Sequence, residues 1–596
     1  MCGIIGYIGN NSFEPQARTA LNSLEYRGYD SAGVSYIYNN KLIVEKKVGN
    51  VNNLFDNITI PDEVHSGIGH TRWATHGAVS AINAHPHISF DKKFSLVHNG
   101  IIENYSSIKN NILSEIKFRT DVDTEVIVNL IAYYYQTNKN MLDVIFQTIK
   151  TLDGAYAFSV ICIDEPSVIY YAKNASPMLI GTSDTEKFLA SDLVGLSSNC
   201  KQYALIPDLS FGSITIDKVD CYDFNQNPII LDYKEITNSA KTPQKGNYDY
   251  FMQKEIEEIP SVITRTLQFY LNKDNPFTST SDSFWVGIDK VEFIACGTSF
   301  HASKIGSALI EDHALIVSRA HVASEFVYNP PILNERTMCI FVSQSGETAD
   351  TLHALKLVKS KGAKAVSITN VITSSIALLS DVVLPLSAGA EVAVASTKAY
   401  NAQVAVMYLL SEFLKKRSFD TTAKDIIDIV LTLNMKKMWE NAKYIATKIS
   451  DSKSIYFVGR HMDYITCLES SLKLKEITYI PCEAYPAGEL KHGTIALIEK
   501  GTMMIAILTE PKLLNKTANI IAQAKARGAE IIYASNLTSK EWTIDANKLL
   551  ELPQCDDRYS PLFSIIPMQM LSYYVCINKG YNPDRPRNLA KSVTVE

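Results

Sequence analysis

Cys2 follows the initiator methionine directly and combines two groups that can do chemistry together. Once that methionine is removed, Cys2 carries both a thiol and a free α-amine. An α-amine titrates near ~8 and a free thiol near ~8.5, so the amine can accept the thiol proton at neutral pH. The sequence therefore predicts a nucleophile with its own base. Small Gly3 and Gly6 predict a first strand that allows close approach of a substrate or another backbone.

Three polar strings in the first third of the chain form a candidate pocket. They are EYRGYDSAG (25–33), GHTRWATHG (69–77) and HNGIIENY (98–105). Arg72 suits a carboxylate because its planar fork makes two charge-assisted bonds. Asn99 and Gly100 can direct a side-chain amide and a backbone N–H at one oxyanion, although the same dipeptide is equally common in hairpin turns. Asp123 can bind an ammonium or cap the predicted helix 123–135, and capping is the more frequent role.

A metal site is the alternative interpretation of the same region, because six of the twelve histidines lie between His65 and His98. No carboxylate or thiolate stands at a ligand spacing such as H-E-x-x-H, so we favour hydrogen-bonding roles. The ten cysteines include no C-x-x-C pair, which indicates neither a zinc site nor a disulfide framework. We therefore expect no metal and no organic cofactor.

Length and composition indicate a multidomain globular protein. The chain has 596 residues, enough for about three or four domains. Its net charge of -6, without a local basic cluster, argues against nucleic acid as a partner. We find no basic leader and no apolar run of membrane-spanning length, so we expect no membrane association and a cytoplasmic location.

The elements that must position these residues change in type along the chain. Up to residue 232 the short β-rich runs predict layered, mostly antiparallel sheets. The polar stretch NSAKTPQKG (238–246) predicts a linker. A helix is predicted over 248–259, with Glu255, Glu257 and Glu258 on its solvated face. Beyond it, apolar strands alternate with long helices, which indicates parallel α/β units.

The second part of the chain is duplicated at a spacing of about 165 residues, the size of a domain. VEFIAC (291–296) in the first copy corresponds to SIYFVG (454–459) in the second, and KGAKAVSITN (361–370) corresponds to RGAEIIYASN (527–536). Small hydroxyls follow two strands of the first copy. Backbone N–H groups at such strand ends favour a sugar phosphate, although helix capping is the alternative. Its candidate ligands are Thr298, Ser299, Ser343, Gln344, Ser345 and Thr348.

The second copy and the tail hold the ionisable groups. Lys473 and Glu476 lie three residues apart on one face of a predicted helix 466–479, a pattern usual for surface ion pairs. His492 stands in the charged loop GELKHG (488–493), and Lys591 is alone among small residues in a tail without helix or strand periodicity. No G-x-x-x-x-G-K-[ST] or G-x-G-x-x-G string is present, so these strings do not indicate a nucleotide.

The first third resembles the N-terminal-nucleophile glutamine amidotransferases in its Met-Cys-Gly start and in all three polar strings. The resemblance implies a four-layer αββα sandwich and Cys2 attacking the amide of L-glutamine. It implies an oxyanion held by Asn99 and Gly100. It also implies a set of glutamine-binding residues: Arg72, Trp73, Thr75, His76 and Asp123. One departure is Val122, where the family has a threonine.

Residues 285–596 resemble the paired sugar-isomerase (SIS) domains of the glutamine:fructose-6-phosphate aminotransferase family. The strings that match are CGTS, SQSGETADT, VASTKA, LKLKE, GELKHG and PRNLAKSVTVE. The resemblance implies two doubly wound parallel α/β domains. We place the amidotransferase domain at 1–237, a linker at 238–247, the SIS domains at 248–420 and 421–580, and a catalytic tail at 581–596. Thr494 and Arg585 depart from the family's usual residues.

The resemblance also implies roles in the second site and a second substrate, D-fructose 6-phosphate. Lys591 forms a Schiff base at the C2 ketone, Glu476 moves a proton between C1 and C2, and Lys473 assists. His492, supplied by the partner subunit of a homodimer, assists ring opening. Val394 and Ala590 add backbone contacts to the sugar-phosphate ligands. Trp73 gates a channel for ammonia.

Three other functions remain as alternatives. A paralogue that aminates another ketose phosphate would keep every string named above. A sugar-phosphate sensor would keep the hydroxyl-rich loops without Cys2 or Lys591. An amidotransferase acting on phosphoribosyl pyrophosphate would share only the first third of the chain.

Overall fold

The computed structural model describes residues 2–73, 77–197, 199–236, 244–537 and 545–593. Two predicted glutamine-binding residues, Thr75 and His76, and most of the predicted linker lie outside these ranges. The described residues group into two compact units. Unit 1 comprises the residues up to 236 together with 592 and 593, and unit 2 comprises 244–591.

Unit 1 is built from antiparallel strands and a few helices. Its strands are β1 (Gly3–Gly9), β2 (Ser31–Tyr38), β3 (Lys41–Val48), β4 (Ser66–Arg72), β5 (His87–Ile88), β6 (Phe94–Ile102), β7 (Gly154–Cys162), β8 (Glu165–Asn174), β9 (Leu179–Thr182), β10 (Glu186–Ala190), β11 (Gln202–Leu205), β12 (Ser210–Ile214), β13 (Val219–Asp223) and β14 (Tyr233–Glu235). Its helices are α1 (Phe13–Leu24), α2 (Val51–Phe55), α3 (Tyr105–Asn111), α4 (Thr124–Tyr135) and α5 (Met141–Thr151).

Two antiparallel sheets stack face to face in unit 1, with helices on their outer faces. One sheet has the order β14-β11-β9-β10-β1-β4-β2-β3 and the other β13-β12-β8-β7-β6-β5. Successive side chains of a strand point to opposite faces, and β1 uses both. Ile4 packs between the sheets with Val97 of β6, whereas Ile5 packs under α1 with Leu21. Helices α4 and α5 cover the second sheet. The predicted αββα sandwich is confirmed.

The start of β1 fits closely against β4 and α1. The register pairs Gly3 with Thr71, and the Gly3 N–H donates to Thr71 Oγ1 over 3.1 Å. A Cβ at Gly3 would lie 2.6 Å from that hydroxyl oxygen and 2.7 Å from the Cβ of Leu24. Only glycine fits there, as predicted from its place beside Cys2. This close pairing sets Cys2 next to the end of β4, where Arg72 and Trp73 follow.

Unit 2 alternates strands with helices. Its strands are β15 (Lys290–Ala295), β16 (Val317–Val322), β17 (Thr337–Ser343), β18 (Lys364–Thr369), β19 (Val382–Pro385), β20 (Ile455–Gly459), β21 (Cys482–Pro486), β22 (Met503–Leu508), β23 (Glu530–Ser535) and β24 (Leu549–Glu551). Its helices are α6 (Phe251–Glu257), α7 (Ile259–Leu271), α8 (Pro276–Ser279), α9 (Asp282–Trp285), α10 (Gly297–Leu309), α11 (Ala323–Phe326), α12 (Ala349–Ser360), α13 (Ser375–Leu379), α14 (Lys398–Lys416), α15 (Asp420–Thr432), α16 (Met435–Ile449), α17 (Met462–Thr478), α18 (Leu514–Lys525), α19 (Ser560–Phe563) and α20 (Ile565–Asn578).

The predicted duplication is visible in two parallel five-stranded sheets with equivalent strand orders. The first sheet is β16-β15-β17-β18-β19 and the second is β21-β20-β22-β23-β24. The strings paired in the sequence occupy matching places, β15 with β20 and β18 with β23. One hydrophobic core joins the facing sides of both sheets through helices such as α14, α17 and α20. The strands of both copies therefore pack on the same hydrophobic core within unit 2.

Three expectations about unit 2 are wrong. The predicted helix 248–259 is α6, which ends at Glu257, and Pro260 lies in the first turn of α7. Glu255 is 1 % exposed rather than solvated. One apolar stretch of the described chain, Asp557–Asn578, is also long enough to cross a membrane by length and composition, although we expected none. Its best window is 89 % buried, as in a core helix, and α20 supplies much of the core of unit 2.

Candidate functional site

Cys2 directly precedes β1, a central strand of the first sheet. Its sulfur contacts the backbone of Trp73. The Trp73 N–H donates to Cys2 Sγ over 3.2 Å. Burial raises the pKa of the Cys2 thiol, while the Trp73 N–H and the charge of Arg72 act to lower it. The thiol is therefore protonated at rest, and it needs a base close by before it can attack a substrate. The structure thus shows a raised pKa of the Cys2 thiol, which the sequence did not indicate.

Asn99 is held so that its amide points at the main chain of the nucleophile. Its Nδ2 donates to the Cys2 carbonyl over 2.9 Å, and its Oδ1 lies 3.1 Å from Nε2 of the buried His70. Gly100 continues β6 at a φ of 133°, and a Cβ there would lie 2.0 Å from the Ala155 carbonyl oxygen. Glycine is required at this position. An amide N–H of Asn99 is thus held against the main chain of Cys2, and such a donor is what an oxyanion site needs.

Arg72 and Asp123 are buried near the same nucleophile. They are 3 % and 4 % exposed, and the charge of Arg72 interacts with Cys2, Asp30 and Asp123. Asp123 occupies the N-cap position of α4, but its side chain does not cap the helix. Its Oδ2 instead accepts the Ile102 N–H over 2.8 Å. Capping, the more frequent role in the sequence, is not the one the structure uses.

Four buried histidines stand behind this pocket. His70 and His85 stack with ring centroids 4.1 Å apart, His87 meets His85 edge-on at 4.6 Å, and His98 Nδ1 lies 2.9 Å from Thr124 Oγ1. The described residues contain no group of three His, Cys, Asp or Glu side chains placed to hold a metal ion. The four histidines are packed side chains, and their burial favours the neutral form.

We expect these histidines to make unit 1 sensitive to acid. Burial lowers the pKa of all four, that of His70 to about 3. The unfolded chain takes up protons below about pH 6.5 and the folded unit does not, so stability falls as the pH drops through this range. Each histidine contributes a slope of about 1.4 kcal/mol per pH unit. Pulse proteolysis in urea between pH 4.5 and 7.5 measures this slope.

Two single substitutions calibrate the acid sensitivity. His87→Phe removes one buried imidazole, so it should reduce the slope of the unfolding free energy against pH by about 1.4 kcal/mol per pH unit. His65→Gln, at an exposed histidine of the same unit, should leave the slope unchanged. A free energy of unfolding of unit 1 that does not change between pH 6.5 and 4.5 would contradict this prediction.

The predicted sugar-phosphate ligands of the first copy converge at strand ends. Ser343 ends β17, and its Oγ contacts Thr348 Oγ1 and the Gly346 N–H at 3.0 Å each. Thr298 and Ser299 lie in the first turn of α10 after β15. Gly346 has a φ of 67°, and a Cβ there would come within 1.8 Å of Ser374 Oγ. The loop is therefore fixed by its glycine and by its own hydroxyl groups.

Lys473 and Glu476 form an ion pair between a buried lysine and a glutamate that is 15 % exposed, instead of the surface pair that the spacing suggests. Lys473 Nζ lies 2.5 Å from Glu476 Oε1 and 3.4 Å from Glu469 Oε1, and it donates to Thr298 Oγ1 over 2.9 Å. Burial lowers the pKa of Lys473, but the facing carboxylates outweigh it and raise this pKa. Burial raises the pKa of Glu476. A carboxyl group in this state suits proton transfer near neutral pH.

Lys591 of the tail lies in the same region of unit 2. Its Nζ lies 2.5 Å from Glu391 Oε2 and donates to the Ala393 carbonyl over 2.9 Å. The charge of Lys591 acts on Glu476. Asp584 anchors the tail, because its carboxylate accepts the N–H groups that begin α6 and its carbonyl accepts the Val394 N–H over 3.1 Å. The tail therefore places Lys591, with the preceding Ala590, near the Lys473–Glu476 pair.

His492 is the predicted residue that the structure does not bring to the others. It ends a short 3-10 helix, Glu489–His492, and it is exposed. Among the described residues, no hydrogen bond or ion pair joins it to Lys473, Glu476 or Lys591.

Two further predicted ligands lie in the loop 343–348 of the first copy. The carbonyl of Gln344 accepts the Asn370 N–H, and the Ser345 hydroxyl accepts the Glu347 N–H over 3.2 Å.

Comparison with known proteins places both units in described families. The glutamine amidotransferase domain model matches residues 70–198, and the SIS domain model matches 287–412 and 448–579. A glutamine–fructose-6-phosphate aminotransferase (isomerizing) of Clostridium tetani is 41 % identical over 610 residues, with 100 % of both chains covered. The chain belongs to this aminotransferase family. The enzyme of the same description from Caldanaerobacter subterraneus subsp. tengcongensis is 39 % identical over 614 residues, again with 100 % of both chains covered.

A solved structure supports the assignment for the second unit. The C-terminal domain of glucosamine-fructose-6-phosphate aminotransferase from Francisella tularensis is similar with a TM-score of 0.55 and 32 % identity. The match covers 58 % of this chain and 100 % of that one. The predicted fold class, an N-terminal amidotransferase domain followed by two SIS domains, is confirmed.

The two SIS copies of this family member differ at their strand ends. In the second copy, Glu510 Oε1 accepts the N–H of Met462, which begins α17. Asp463 is buried and accepts both the backbone N–H and the hydroxyl of Thr509. Carboxylates therefore fill the place that an anion would take, whereas hydroxyl groups line it in the first copy. The hydroxyl-lined strand ends that the sequence predicts to bind a phosphate lie in the first copy.

Sequence reasoning missed four polar residues of the second site. Glu469 is fully buried and contacts Thr298 Oγ1, His301 Nδ1 and Lys473, and Gln403 donates to Ser299 Oγ over 3.0 Å. Glu469 could have been found, because it lies four residues before Lys473 on the same helix face. Gln403, His301 and Glu391 have no local signal, since only the fold brings them to the site.

Proposed function

We propose that this chain transfers the amide nitrogen of L-glutamine to D-fructose 6-phosphate and isomerises the product to D-glucosamine 6-phosphate, releasing L-glutamate. The observation that supports this most is that one chain holds two sites of complementary chemistry. In unit 1 the Asn99 amide contacts the main chain of Cys2, and in unit 2 the charge of the buried Lys591 acts on Glu476, which pairs with Lys473. The full-length similarity to aminotransferases of this description points the same way.

In the first site Cys2 attacks the side-chain amide carbon of glutamine, and its own amine relays the thiol proton to the leaving ammonia. Asn99 and Gly100 hold the oxyanion of the tetrahedral intermediate. Arg72 binds the substrate carboxylate and Asp123 its ammonium, with Trp73, Thr75 and His76 completing the pocket. Water then hydrolyses the thioester to glutamate.

In the second site the hydroxyl groups of the first SIS copy bind the phosphate. They are Thr298, Ser299, Ser343, Ser345 and Thr348, with Gln344 and the backbone of Val394 and Ala590. Lys591 forms a Schiff base at C2 with loss of water, and this activates that carbon toward ammonia. Ammonia adds to C2, and the Lys591 amine leaves as the imine between C2 and the nitrogen from ammonia forms. Glu476 then moves a proton between C1 and C2, and Lys473 stabilises the charges that result. No metal or organic cofactor enters these steps.

We further propose that the chain works as a homodimer in the cytoplasm. His492 is exposed and makes no contact with the Lys473–Glu476 pair among the described residues. A histidine supplied by the partner subunit would assist ring opening in each site. Ammonia passes directly from the first site to the second with Trp73 as its gate, because ammonia released into water becomes ammonium and loses its nucleophilicity.

Nitrogen labelling tests this function. The wild-type protein is given glutamine labelled with ¹⁵N at the amide, fructose 6-phosphate, and unlabelled ammonium in tenfold excess. We expect ¹⁵N in most of the glucosamine 6-phosphate, measured by mass spectrometry. Label diluted to the ratio in solution would contradict direct transfer. Glutamate formed without any amino sugar would contradict fructose 6-phosphate as acceptor, and a screen of other ketose phosphates would follow.

A further inference from the structure

We propose that Glu391 is a catalytic residue of the second site: it accepts the proton that Lys591 must lose and then pairs with the iminium that Lys591 forms. This role rests on the proposed function, in which Lys591 attacks the C2 ketone of the sugar. An ammonium has no lone pair, so the attack requires a proton acceptor.

Glu391 is the acceptor that the geometry offers. Both side chains are buried, Lys591 at 3 % and Glu391 at 0 % exposure. Lys591 Nζ contacts Glu391 Oε2 at 2.5 Å and the Ala393 carbonyl at 2.9 Å. A carbonyl oxygen of the backbone cannot take the proton at neutral pH. Within the described chain, Glu391 is thus the ionisable group in hydrogen-bond contact with the reacting nitrogen.

The two oxygens of Glu391 have different duties. Oε1 accepts the N–H groups of Thr397 and Ala399 over 3.0 Å each, at the start of α14. Oε2 accepts the Ser396 hydroxyl over 2.8 Å and faces Lys591. One oxygen therefore fixes the carboxylate in place, and the other is directed at the nitrogen that reacts. This arrangement keeps the proton path short without further movement of the backbone.

The basicity of Glu391 depends on the charge of Lys591. Burial alone raises the pKa of Glu391, but the Lys591 charge and hydrogen bond bring it down to about 2. When Lys591 gives up its charge, that largest lowering influence disappears and the buried carboxylate becomes a stronger base. Proton transfer within the pair also removes two charges from a buried site, which relieves the desolvation cost of both.

The resulting sequence of steps balances. The proton moves from Lys591 Nζ to Glu391 Oε2, and the freed lone pair forms a bond to C2 while the C2–O π pair moves to oxygen. A proton then passes from the positively charged Lys591 nitrogen, now bonded to C2, to the negatively charged C2 oxygen, giving a neutral carbinolamine. Glu391 returns its proton to the hydroxyl, water leaves, and nitrogen forms the C=N bond of the iminium. The carboxylate is again negative beside a positive nitrogen.

Glu391→Gln tests this role, because the amide oxygen can still accept the N–H groups of Thr397 and Ala399. The full-length variant and the wild type are incubated with fructose 6-phosphate and cyanoborohydride at pH 7. The reduced sugar adduct on Lys591 is then quantified by peptide mass spectrometry. We expect adduct formation and glucosamine 6-phosphate synthesis both to fall by at least ~100-fold, the usual contribution of a positioned acid–base group.

Glu255→Gln is the matched control. Glu255 is buried, accepts the Val392 N–H over 2.5 Å and has a pKa raised by burial and by Glu391 to about 8. The control therefore replaces a neutral group by a neutral one at pH 7, and its adduct should form within about twofold of the wild-type rate. Thermal stabilisation by fructose 6-phosphate reports whether unit 2 of each variant is folded. If fructose 6-phosphate does not stabilise the Glu391→Gln protein, the Glu391→Asp variant is tested instead. Its rate of adduct formation should lie between that of the wild type and the rate expected for Glu391→Gln.

The outcomes separate this inference from the proposed function. A folded Glu391→Gln, or a Glu391→Asp variant, that forms the adduct at the wild-type rate overturns the role of Glu391 and leaves Lys591 as proposed. A wild-type protein that makes product but gives no adduct on Lys591 overturns the Schiff base itself, and the role of Glu391 with it. An adduct in the wild type that is lost in Glu391→Gln and kept in Glu255→Gln supports both.

Discussion

Cys2→Ala is expected to abolish glutamine hydrolysis and glutamine-dependent synthesis, by at least ~10⁴-fold, while synthesis from ammonia continues. In the proposed mechanism the Cys2 sulfur forms the bond to the substrate carbon, and without it no oxyanion develops for Asn99 to stabilise. The second site lies on other side chains, in unit 2, so its chemistry should persist. Glutamate release and glucosamine 6-phosphate formation, measured with glutamine and then with high ammonium, check both halves.

The control for this substitution is Cys221→Ala. Cys221 is a buried cysteine of unit 1 that lies in β13, and it should retain glutamine-dependent synthesis. Cys2→Ala that still hydrolyses glutamine would place the nucleophile elsewhere. Loss of ammonia-dependent synthesis in a folded Cys2→Ala protein would show that the two sites do not divide the reaction as proposed.

The raised pKa of the Cys2 thiol makes the α-amine more important than the sequence alone suggests. A thiol with an ordinary pKa would already be a few per cent thiolate at neutral pH. In this structure burial raises the pKa, and the backbone N–H of Trp73 only partly offsets it. A base that takes the proton as the carbon–sulfur bond forms avoids the cost of a free buried thiolate. In the proposed mechanism, the α-amine that Cys2 gains when Met1 is removed is that base.

Local patterns were sufficient to predict the fold of unit 1 and the polar residues that the structure gathers near Cys2. Strand alternation, Gly3 beside Cys2, and polar strings at the ends of β4 and β6 are all readable within a few residues of chain. Asp123 shows where such reading stops. Its position predicts a helix cap, but the side chain accepts the N–H of Ile102, which ends β6. The choice between two local acceptor roles depends on tertiary contacts that the sequence does not display.

Unit 2 shows the same limit more strongly. The spacing of Lys473 and Glu476 predicts an ion pair, but its burial follows from the packing of α17 between two sheets. Glu255 was assigned to a solvated helix face, and the packing of α6 against the core buries it. Glu391 lies 200 residues from Lys591, and nothing near either residue indicates the pair. Contacts of this kind arise from topology rather than from local periodicity.

Glu476→Gln is expected to leave the Lys591 adduct intact and to lower glucosamine 6-phosphate formation by ~10³-fold. The amide cannot carry a proton between C1 and C2, which is the step assigned to this carboxyl group. The buried cation of Lys473 keeps a partner, since Glu469 remains 3.4 Å away, so the variant should fold. Fructose 6-phosphate that carries deuterium at C1 measures the step directly: the wild type should transfer part of that deuterium to C2.

The control for Glu476 is Glu483→Gln, an exposed carboxyl group in β21 of the same copy, which should keep the wild-type rate. The two lysines make the outcome specific, because the proposed mechanism assigns bond formation at C2 to Lys591 and charge stabilisation to Lys473. A Glu476→Gln protein that forms no adduct would mean that Glu476 acts before the Schiff base, on ring opening or sugar binding. A variant that makes product at the wild-type rate, with deuterium transferred to C2, would transfer the proton step to Glu469, the other carboxylate that contacts Lys473 within this buried cluster.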